Sequence, residues 1–203
     1  PGFPRDAAAW CNSTGNQLIS KEATGGKSVV VIEKGEPKSC NIVTSCEGKG
    51  KTFIMFSDDL DKALATFVLA NGAAATGQKV TIFFTFWGLN VIKKLHKPNV
   101  EKDIFGKMFG MMLPSSSRKL KLSKMSMGGI GGKMMRYIMN RKGIDSLESL
   151  RQQALENGVE FIACQMSMDV MGVKQEELLD EVTIGGVATY MERADNANIN
   201  LFI

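Results

Sequence analysis

One cysteine, Cys164, stands where a thiol could do chemistry. It follows the apolar stretch Val159 to Ala163, which predicts a short buried strand, and it precedes a turn and a helical segment. In open α/β sheets, reactive groups lie in the crevice outside the carboxyl ends of parallel strands. A thiol there also feels the positive end of the following helix, which favours the thiolate. Spacing alone leaves two interpretations of Cys164, a reactive thiol or a small buried apolar residue.

The rest of the chain offers this thiol no catalytic partner. His96 is the only histidine, and it is expected at the far end of a helix, so no Ser-His-Asp or Cys-His arrangement can be built. The four cysteines form no C-x-x-C pair and no zinc-ligand spacing; they are Cys11, Cys40, Cys46 and Cys164. We therefore expect no metal site and no cofactor. A thiolate that needs no general base suits the transfer of sulfur between thiols through a persulfide.

The composition is that of a soluble globular protein. The chain has 203 residues, of which 44% are hydrophobic and 23% are charged. Its net charge of +4 is too small to predict binding to nucleic acid. The cysteine usage indicates a reducing, cytoplasmic location. The longest apolar runs are interrupted well short of the roughly 18 residues that a membrane span needs, so no transmembrane span is expected.

Residues 1–34 predict a small α+β segment. A helix is expected from Pro4 to Thr14, and the β-branched runs Gln17 to Glu22 and Lys27 to Glu33 flank a glycine turn, which predicts a hairpin. A piece of this size buries too little surface to be stable alone. Residues 35–50 are rich in glycine, serine and lysine and predict a linker.

The linker carries Cys40 and Cys46. One of them is interpreted either as a second sulfur-carrying thiol on a mobile arm or as an incidental exposed cysteine. The second interpretation is favoured, because a loop does not lower the pKa of a thiol.

Residues 51–203 predict a separate α/β domain. Lys51 to Phe56 is a continuous apolar run typical of a strand buried on both faces. From Leu60 to near Gly77 the apolar residues recur every three or four positions, which predicts a helix, and Lys79 to Thr85 predicts the next strand. Parallel strands need crossover connections that are nearly always right-handed. The fold class predicted is therefore α/β with a Rossmann-like, doubly wound and mostly parallel sheet.

The later elements follow from the same signals. After Trp87 the chain is expected to turn into a helix that runs through Leu95. A capping-box pattern beginning at Asp145 predicts the start of another helix. The remaining predictions are helices over Lys133 to Lys142, Lys174 to Asp180 and Gly186 to Ala194, and strands over Glu181 to Ile184 and Asn200 to Ile203.

Residues 99–143 contain eight of the thirteen methionines. Because methionine is flexible and polarizable, such a cluster makes an adaptable apolar surface, either a helical excursion packed on the sheet or an oligomer or docking surface. The glycine cluster Met127 to Met134 resembles a phosphate loop but lacks its first glycine and its Ser or Thr. It is better interpreted as a hinge or an anion-binding nest of backbone amides.

Several longer segments resemble a known family. SDDLDKALATFVLANGAAATG, FFTFWGLN, MFGMMLP, SKMSMGG, ACQMSMDVMG, GVATY and NLFI are similar to the DsrE/DsrF-like sulfur-relay proteins, in particular a Met-rich subgroup often joined to TusA-like and rhodanese modules. The resemblance covers nearly all of residues 51–203. It implies a Rossmann-like fold, assembly into homo-oligomers and a sulfur-carrying cysteine, which maps to Cys164. Residues 1–34 resemble the second half of a TusA-like domain, without that family's Cys-Pro motif.

The resemblance leads to a functional expectation with alternatives. We expect a sulfur-relay protein in which a partly exposed Cys164 carries persulfide or thiosulfonate sulfur. Asp58, Trp87, Gln165 and Met166 are expected to shape its binding site. The partners implied are TusA-like or rhodanese-type carriers, with membrane association allowed. The alternatives are a non-catalytic binding or assembly module that docks such partners, and a nucleotide or coenzyme A binder.

Overall fold

The structure is a computed structural model that describes residues 7, 11, 16–24, 27–33, 50–96, 98, 100, 104–125 and 127–203. The predicted linker lies outside these residues apart from Gly50. The predicted helix over Pro4 to Thr14 also lies outside them, except for Ala7 and Cys11, which are helical and buried. The division into a TusA-like segment, a linker and a main domain stays a prediction.

The predicted hairpin is present. Strands β1 (Gln17–Thr24) and β2 (Lys27–Glu33) pair antiparallel, with Thr24 opposite Lys27 next to the turn. The β-branched runs therefore form the strands that their spacing predicted.

The main domain is built on a five-stranded sheet. Its strands are β3 (Gly50–Met55), β4 (Val80–Phe84), β5 (Glu160–Cys164), β6 (Thr183–Gly185) and β7 (Ala197–Phe202), in the order β6-β5-β4-β3-β7. Every neighbouring pair is parallel. The chain steps outward from β3 to β6 and then returns to place β7 on the far side of β3. The predicted Rossmann-like α/β class is confirmed.

Six α-helices lie between these strands within the described residues: α1 (Leu60–Ala75), α2 (Ile104–Met112), α3 (Ile130–Arg141), α4 (Leu147–Glu156), α5 (Gln165–Met171) and α6 (Val187–Asp195). Helix α4 is present, one residue later than the capping-box pattern from Asp145 implies, and its N-cap Ser146 accepts a hydrogen bond from the Ser149 amide at 3.1 Å. This bond satisfies one of the free amides at the helix start.

The two faces of the sheet bury different clusters. Phe84 and Phe161 pack against Phe67 of α1 in the larger core, with ring centroids 6.4 and 5.7 Å from the Phe67 ring. Successive strand residues point to opposite faces. Phe83 and Ile162, the neighbours of those two residues, therefore enter a smaller cluster on the other face, where α6 lies. The domain is doubly wound, as predicted.

Three predicted helices differ from the observed ones. The segment after β4 is a 3₁₀ helix over Phe86–Ile92, because Gly88 packs directly on β3: a Cβ there would lie 1.9 Å from the Met55 carbonyl oxygen. Lys174 to Asp180 forms only a 3₁₀ turn over Gln175–Glu177. Helix α3 begins at Ile130, three residues before the predicted start, so two glycines of the glycine cluster lie inside it.

Candidate functional site

Three strand ends meet at the carboxyl edge of the sheet. Asp58 follows β3, Trp87 follows β4 and Cys164 ends β5, and these three strands are parallel neighbours. Their carboxyl ends therefore lie side by side, as the sequence predicted. The segments that follow β4 and β5 are in contact, since the hydroxyl oxygens of Thr85 and Ser167 lie 2.8 Å apart.

Cys164 is the last residue of β5 and the N-cap of α5. Its side chain points to the face of the sheet that carries the smaller cluster, where it packs with Phe83, Ile162 and Tyr190. The residue is only 2% exposed. The expected partial exposure of the thiol is therefore wrong, because Cys164 is packed between residues of neighbouring strands and Tyr190 of α6.

Helix α6 is held over Cys164 by a few polar contacts. The Tyr190 and Thr52 hydroxyl oxygens lie 3.2 Å apart, and the Tyr190 ring lies 5.2 Å from the Phe83 ring. Arg193 donates to both carboxylate oxygens of Glu160, at 2.9 and 3.1 Å. Because this ion pair joins α6 to the start of β5, it fixes the helix on the strand that carries the thiol.

The stabilisation of α6 by the Arg193–Glu160 ion pair should depend on pH. Burial acts to raise the pKa of the Glu160 carboxyl, but hydrogen bonds from Arg193 and Thr81 outweigh burial and lower the pKa below its ordinary value of 4.5. The stabilisation is fully present above pH 4.5 and is lost as the pH falls through the lowered pKa.

Replacing Glu160 by Gln should therefore lower the thermal stability at pH 7. The Glu160 and Arg193 side chains are about a third exposed, so we expect the free energy of unfolding to fall by at most about 1 kcal/mol. The melting temperature should fall by at most about 2–4 °C. The difference from wild type should vanish in acid. A melting-temperature difference that stays constant from pH 7 to pH 3 would show that the carboxylate charge contributes nothing.

The other predicted site residues follow the ends of β4 and β5 at the same edge. Trp87 is 42% exposed and Met166 is 46% exposed. The Gln165 side chain donates to Asp169 one turn along α5, at 2.9 Å. Their assignment to a sulfur-binding site stays a prediction.

Asp58 lines a crevice of about 650 Å³ between the start of α1 and residues 110–122. Cys164 is not among the residues that line it. Asp58 accepts a hydrogen bond at 2.9 Å from the side chain of Asn90, which is fully buried. Burial raises the pKa of the Asp58 carboxyl above its ordinary value of 3.8, and the neighbouring charge of Asp59 acts in the same direction.

Replacing Asp58 by Asn should raise the melting temperature at pH 7. A raised pKa means that the folded protein binds this proton more tightly than the unfolded chain, so the ionised group costs stability at neutral pH. Asparagine has the same shape and can still accept from Asn90. The gain should disappear below about pH 3.8, where the carboxyl is protonated in both states. A lower melting temperature at pH 7 would contradict this account of Asp58.

Three residues that organise this edge were not singled out from the sequence. Tyr190 lies in the quoted motif GVATY, but nothing in the motif shows that it covers the thiol. Asn90 lies in FFTFWGLN, where an asparagine within an apolar run is a signal of a buried polar contact. Nothing in the sequence around Arg193 indicated its role, because its partner Glu160 is 33 positions away.

Several methionines of the Met-rich segment, residues 99–143, are exposed. Met111, Met112, Met125 and Met127 are 86%, 76%, 67% and 65% exposed. Met139 is buried and Met135 packs against the larger core, so part of the segment is packed on the domain and part is surface, and an oligomer or docking role stays a prediction. Within the described ranges, no helix is long and apolar enough to cross a bilayer.

The domain is a parallel Rossmann-like α/β domain with one cysteine at the end of a central strand. Comparison with family models matches residues 48–202 to the DsrE/DsrF/DrsH-like family. Because this match spans most of the chain, the protein belongs to the DsrE/DsrF-like family, and the resemblance of residues 51–203 is confirmed.

Two relatives of known sequence support the assignment. The uncharacterized protein YrkE of Bacillus subtilis is 44% identical over 155 residues, which cover 76% of this chain and 97% of YrkE. The sulfur carrier protein DsrE2 of Allochromatium vinosum is 38% identical over 161 residues, covering 77% of this chain and 99% of DsrE2. Among solved structures, the ychN protein of E. coli aligns with a TM-score of 0.46 at 9% identity, covering 77% of this chain and 100% of ychN.

Proposed function

We propose that this protein is a sulfur carrier in which Cys164 holds the sulfur as a persulfide or a thiosulfonate. The observation that carries the proposal is that, of the four cysteines, only Cys164 lies within the family match over residues 48–202. It also ends a central strand of a parallel sheet, where such folds place reactive groups. The relative from Allochromatium vinosum, which is named a sulfur carrier, supports the same chemistry.

The transfer is an exchange between thiolates. The Cys164 thiolate attacks the outer sulfur of a donor persulfide, the donor S–S bond breaks, and a new S–S bond forms on Cys164 while the donor leaves as a thiolate. With tetrathionate, attack on a central sulfur leaves a thiosulfonate on the cysteine and releases thiosulfate. Neither step needs a general base, a metal or an external oxidant once the thiolate is present.

Loading requires Cys164 to become accessible. The nine-residue helix α6 contributes Tyr190 to the cluster that buries Cys164, and Ala194 packs against that cluster. We therefore include in the proposal a local displacement of α6 that breaks the Arg193–Glu160 pair and the Tyr190–Thr52 contact. Local openings of this kind need less free energy than global unfolding.

The proposal extends to partners and assembly. The carrier exchanges sulfur with TusA-like or rhodanese-type proteins in the cytoplasm and forms homo-oligomers. Support comes from the exposed Met-rich segment, since methionines adapt to different partner surfaces.

A second candidate is a binding or assembly module that carries no sulfur. The burial of Cys164 favours it, because a sealed thiol behaves as a small apolar residue. Measuring alkylation of Cys164 in the folded protein, with peptide mapping to separate it from the other cysteines, distinguishes the two. A carrier should be alkylated at a rate independent of low denaturant concentrations, through local opening. Alkylation that occurs only through global unfolding, together with no sulfur uptake from a persulfide donor, would establish the binding module instead.

A further inference from the structure

The crevice beside Asp58 has the size of a small-molecule site. Its volume of about 650 Å³ falls within the range of roughly 300–1,000 Å³ typical of such sites. It lies outside the carboxyl end of β3, at the start of α1, and Cys164 does not line it. The sulfur chemistry proposed above therefore does not use this space.

One wall of the crevice is acidic. Asp59 is already neutralised, because Lys62 lies 2.8 Å from its carboxylate. Asp58 has a neutral donor, Asn90, as its hydrogen-bond partner in the described structure. The other side-chain atom of Asn90, Oδ1, is buried and has no partner among the described residues. Asp58 is thus a partly buried carboxylate whose charge is incompletely balanced, although Lys93 acts on it through space.

Another part of the crevice wall is basic. Lys119 and Lys121 line it, both are exposed, and neither has an ion pair within the described ranges. They belong to residues 104–144, which hold nine lysines and arginines and no acidic residue. The rest of the chain has 16 basic and 21 acidic residues. The excess positive charge of the protein is therefore concentrated on the segment that forms this wall.

Apolar side chains also belong to the crevice wall. Met111, Met112, Leu113 and Leu122 line the space along with the charged residues. No ion pair joins the aspartates to Lys119 or Lys121 among the residues that the structure describes. Asp58, Lys119 and Lys121 therefore line one crevice together with apolar side chains, without an ion pair between Asp58 and either lysine in the described structure.

We propose that this crevice binds a zwitterionic small molecule of the size of a dipeptide or tripeptide. Its ammonium group pairs with Asp58, its carboxylate pairs with Lys119 and Lys121, and an apolar middle lies against Met112 and Leu122. A nucleotide or another polyanion fits less well, because the Asp58 wall repels phosphate. The assignment is independent of sulfur transfer.

Three matched peptides test the proposal: Gly-Leu-Gly, its N-acetyl form, which lacks the ammonium, and its C-terminal amide, which lacks the carboxylate. Binding to the full chain is measured by titration calorimetry up to about 10 mM, a range that detects weak, millimolar binding. The free peptide should bind about tenfold more tightly than either modified form, because each modification removes one charge-assisted contact. Absence of binding, or equal binding of all three, overturns the proposal.

Variants assign each end of the ligand. Asp58→Asn should weaken the free peptide about tenfold and leave the N-acetyl form unchanged, and Lys119→Gln with Lys121→Gln should weaken the free peptide but not the amide. Lys142→Gln is the control, since Lys142 lies in the same basic segment but does not line the crevice. If Lys142→Gln weakens peptide binding as much as the crevice variants do, the binding reflects general charge attraction, and the proposed site is overturned. The Asp58→Asn variant is also expected to fold stably, so a loss of binding there is not a loss of structure.

Discussion

Replacing Cys164 by Ser should abolish sulfur uptake from a persulfide donor or from tetrathionate. Serine has nearly the same shape, so the smaller cluster with Phe83, Ile162 and Tyr190 keeps its packing. A hydroxyl is not ionised near neutral pH and does not attack sulfur, so no S–S bond forms. In a background with Cys40→Ser and Cys46→Ser, intact mass measurement after incubation with the donor should show added sulfur on the parent and none on the Cys164→Ser variant.

The other cysteines supply the matched control. Cys40 and Cys46 lie outside the family match over residues 48–202, so the double variant Cys40→Ser with Cys46→Ser should take up sulfur as wild type does. Thermal melting of all variants checks that each is folded. Equal sulfur uptake by the Cys164→Ser variant would remove Cys164 from the mechanism.

Loosening α6 should speed the alkylation of Cys164 in the folded protein. Arg193→Met removes the ion pair with Glu160, which is partly exposed and is worth about 1 kcal/mol or less. If the displacement of α6 that exposes Cys164 breaks this ion pair, the alkylation rate of Cys164 should rise by up to about fivefold. Gly185→Ala should have a larger effect, because a Cβ there would lie 2.9 Å from Cγ2 of Ile162 and 3.2 Å from Cβ of Thr189 on α6.

Arg141→Met is the control for the α6 variants. Arg141 lies in the last turn of α3 and contacts the Tyr137 ring instead of α6, so its removal should leave the alkylation rate unchanged. Rates that are the same in Arg193→Met, Gly185→Ala and wild type would mean that Cys164 is reached by a route that does not displace α6.

The elements that the sequence predicted well are those with a local signal. The apolar run before Cys164 and the three-and-four spacing after Leu60 each specify an element within a few residues, and β5 and α1 lie there. The 3₁₀ helix after β4 was missed because it depends on Gly88 approaching the Met55 carbonyl, 33 positions away. Such close approaches are properties of the packed structure.

The sequence predicted where the candidate site lies but not which residues surround Cys164. The sequence placed Asp58 and Cys164 at one edge of the sheet, and they are there. It did not show that Cys164 faces α6 while Asp58 precedes α1, which packs on the opposite face. Which helix covers which face depends on long-range packing, so the burial of the thiol and its separation from the crevice emerge only from the fold.

Locating the transferred sulfur on the chain tests the central claim most directly. The protein is incubated with a persulfidated donor, its remaining thiols are blocked, and the digest is analysed by mass spectrometry. The account predicts that the added sulfur is on the peptide that contains Cys164. Sulfur found only on Cys11, Cys40 or Cys46, or on no cysteine, would contradict it.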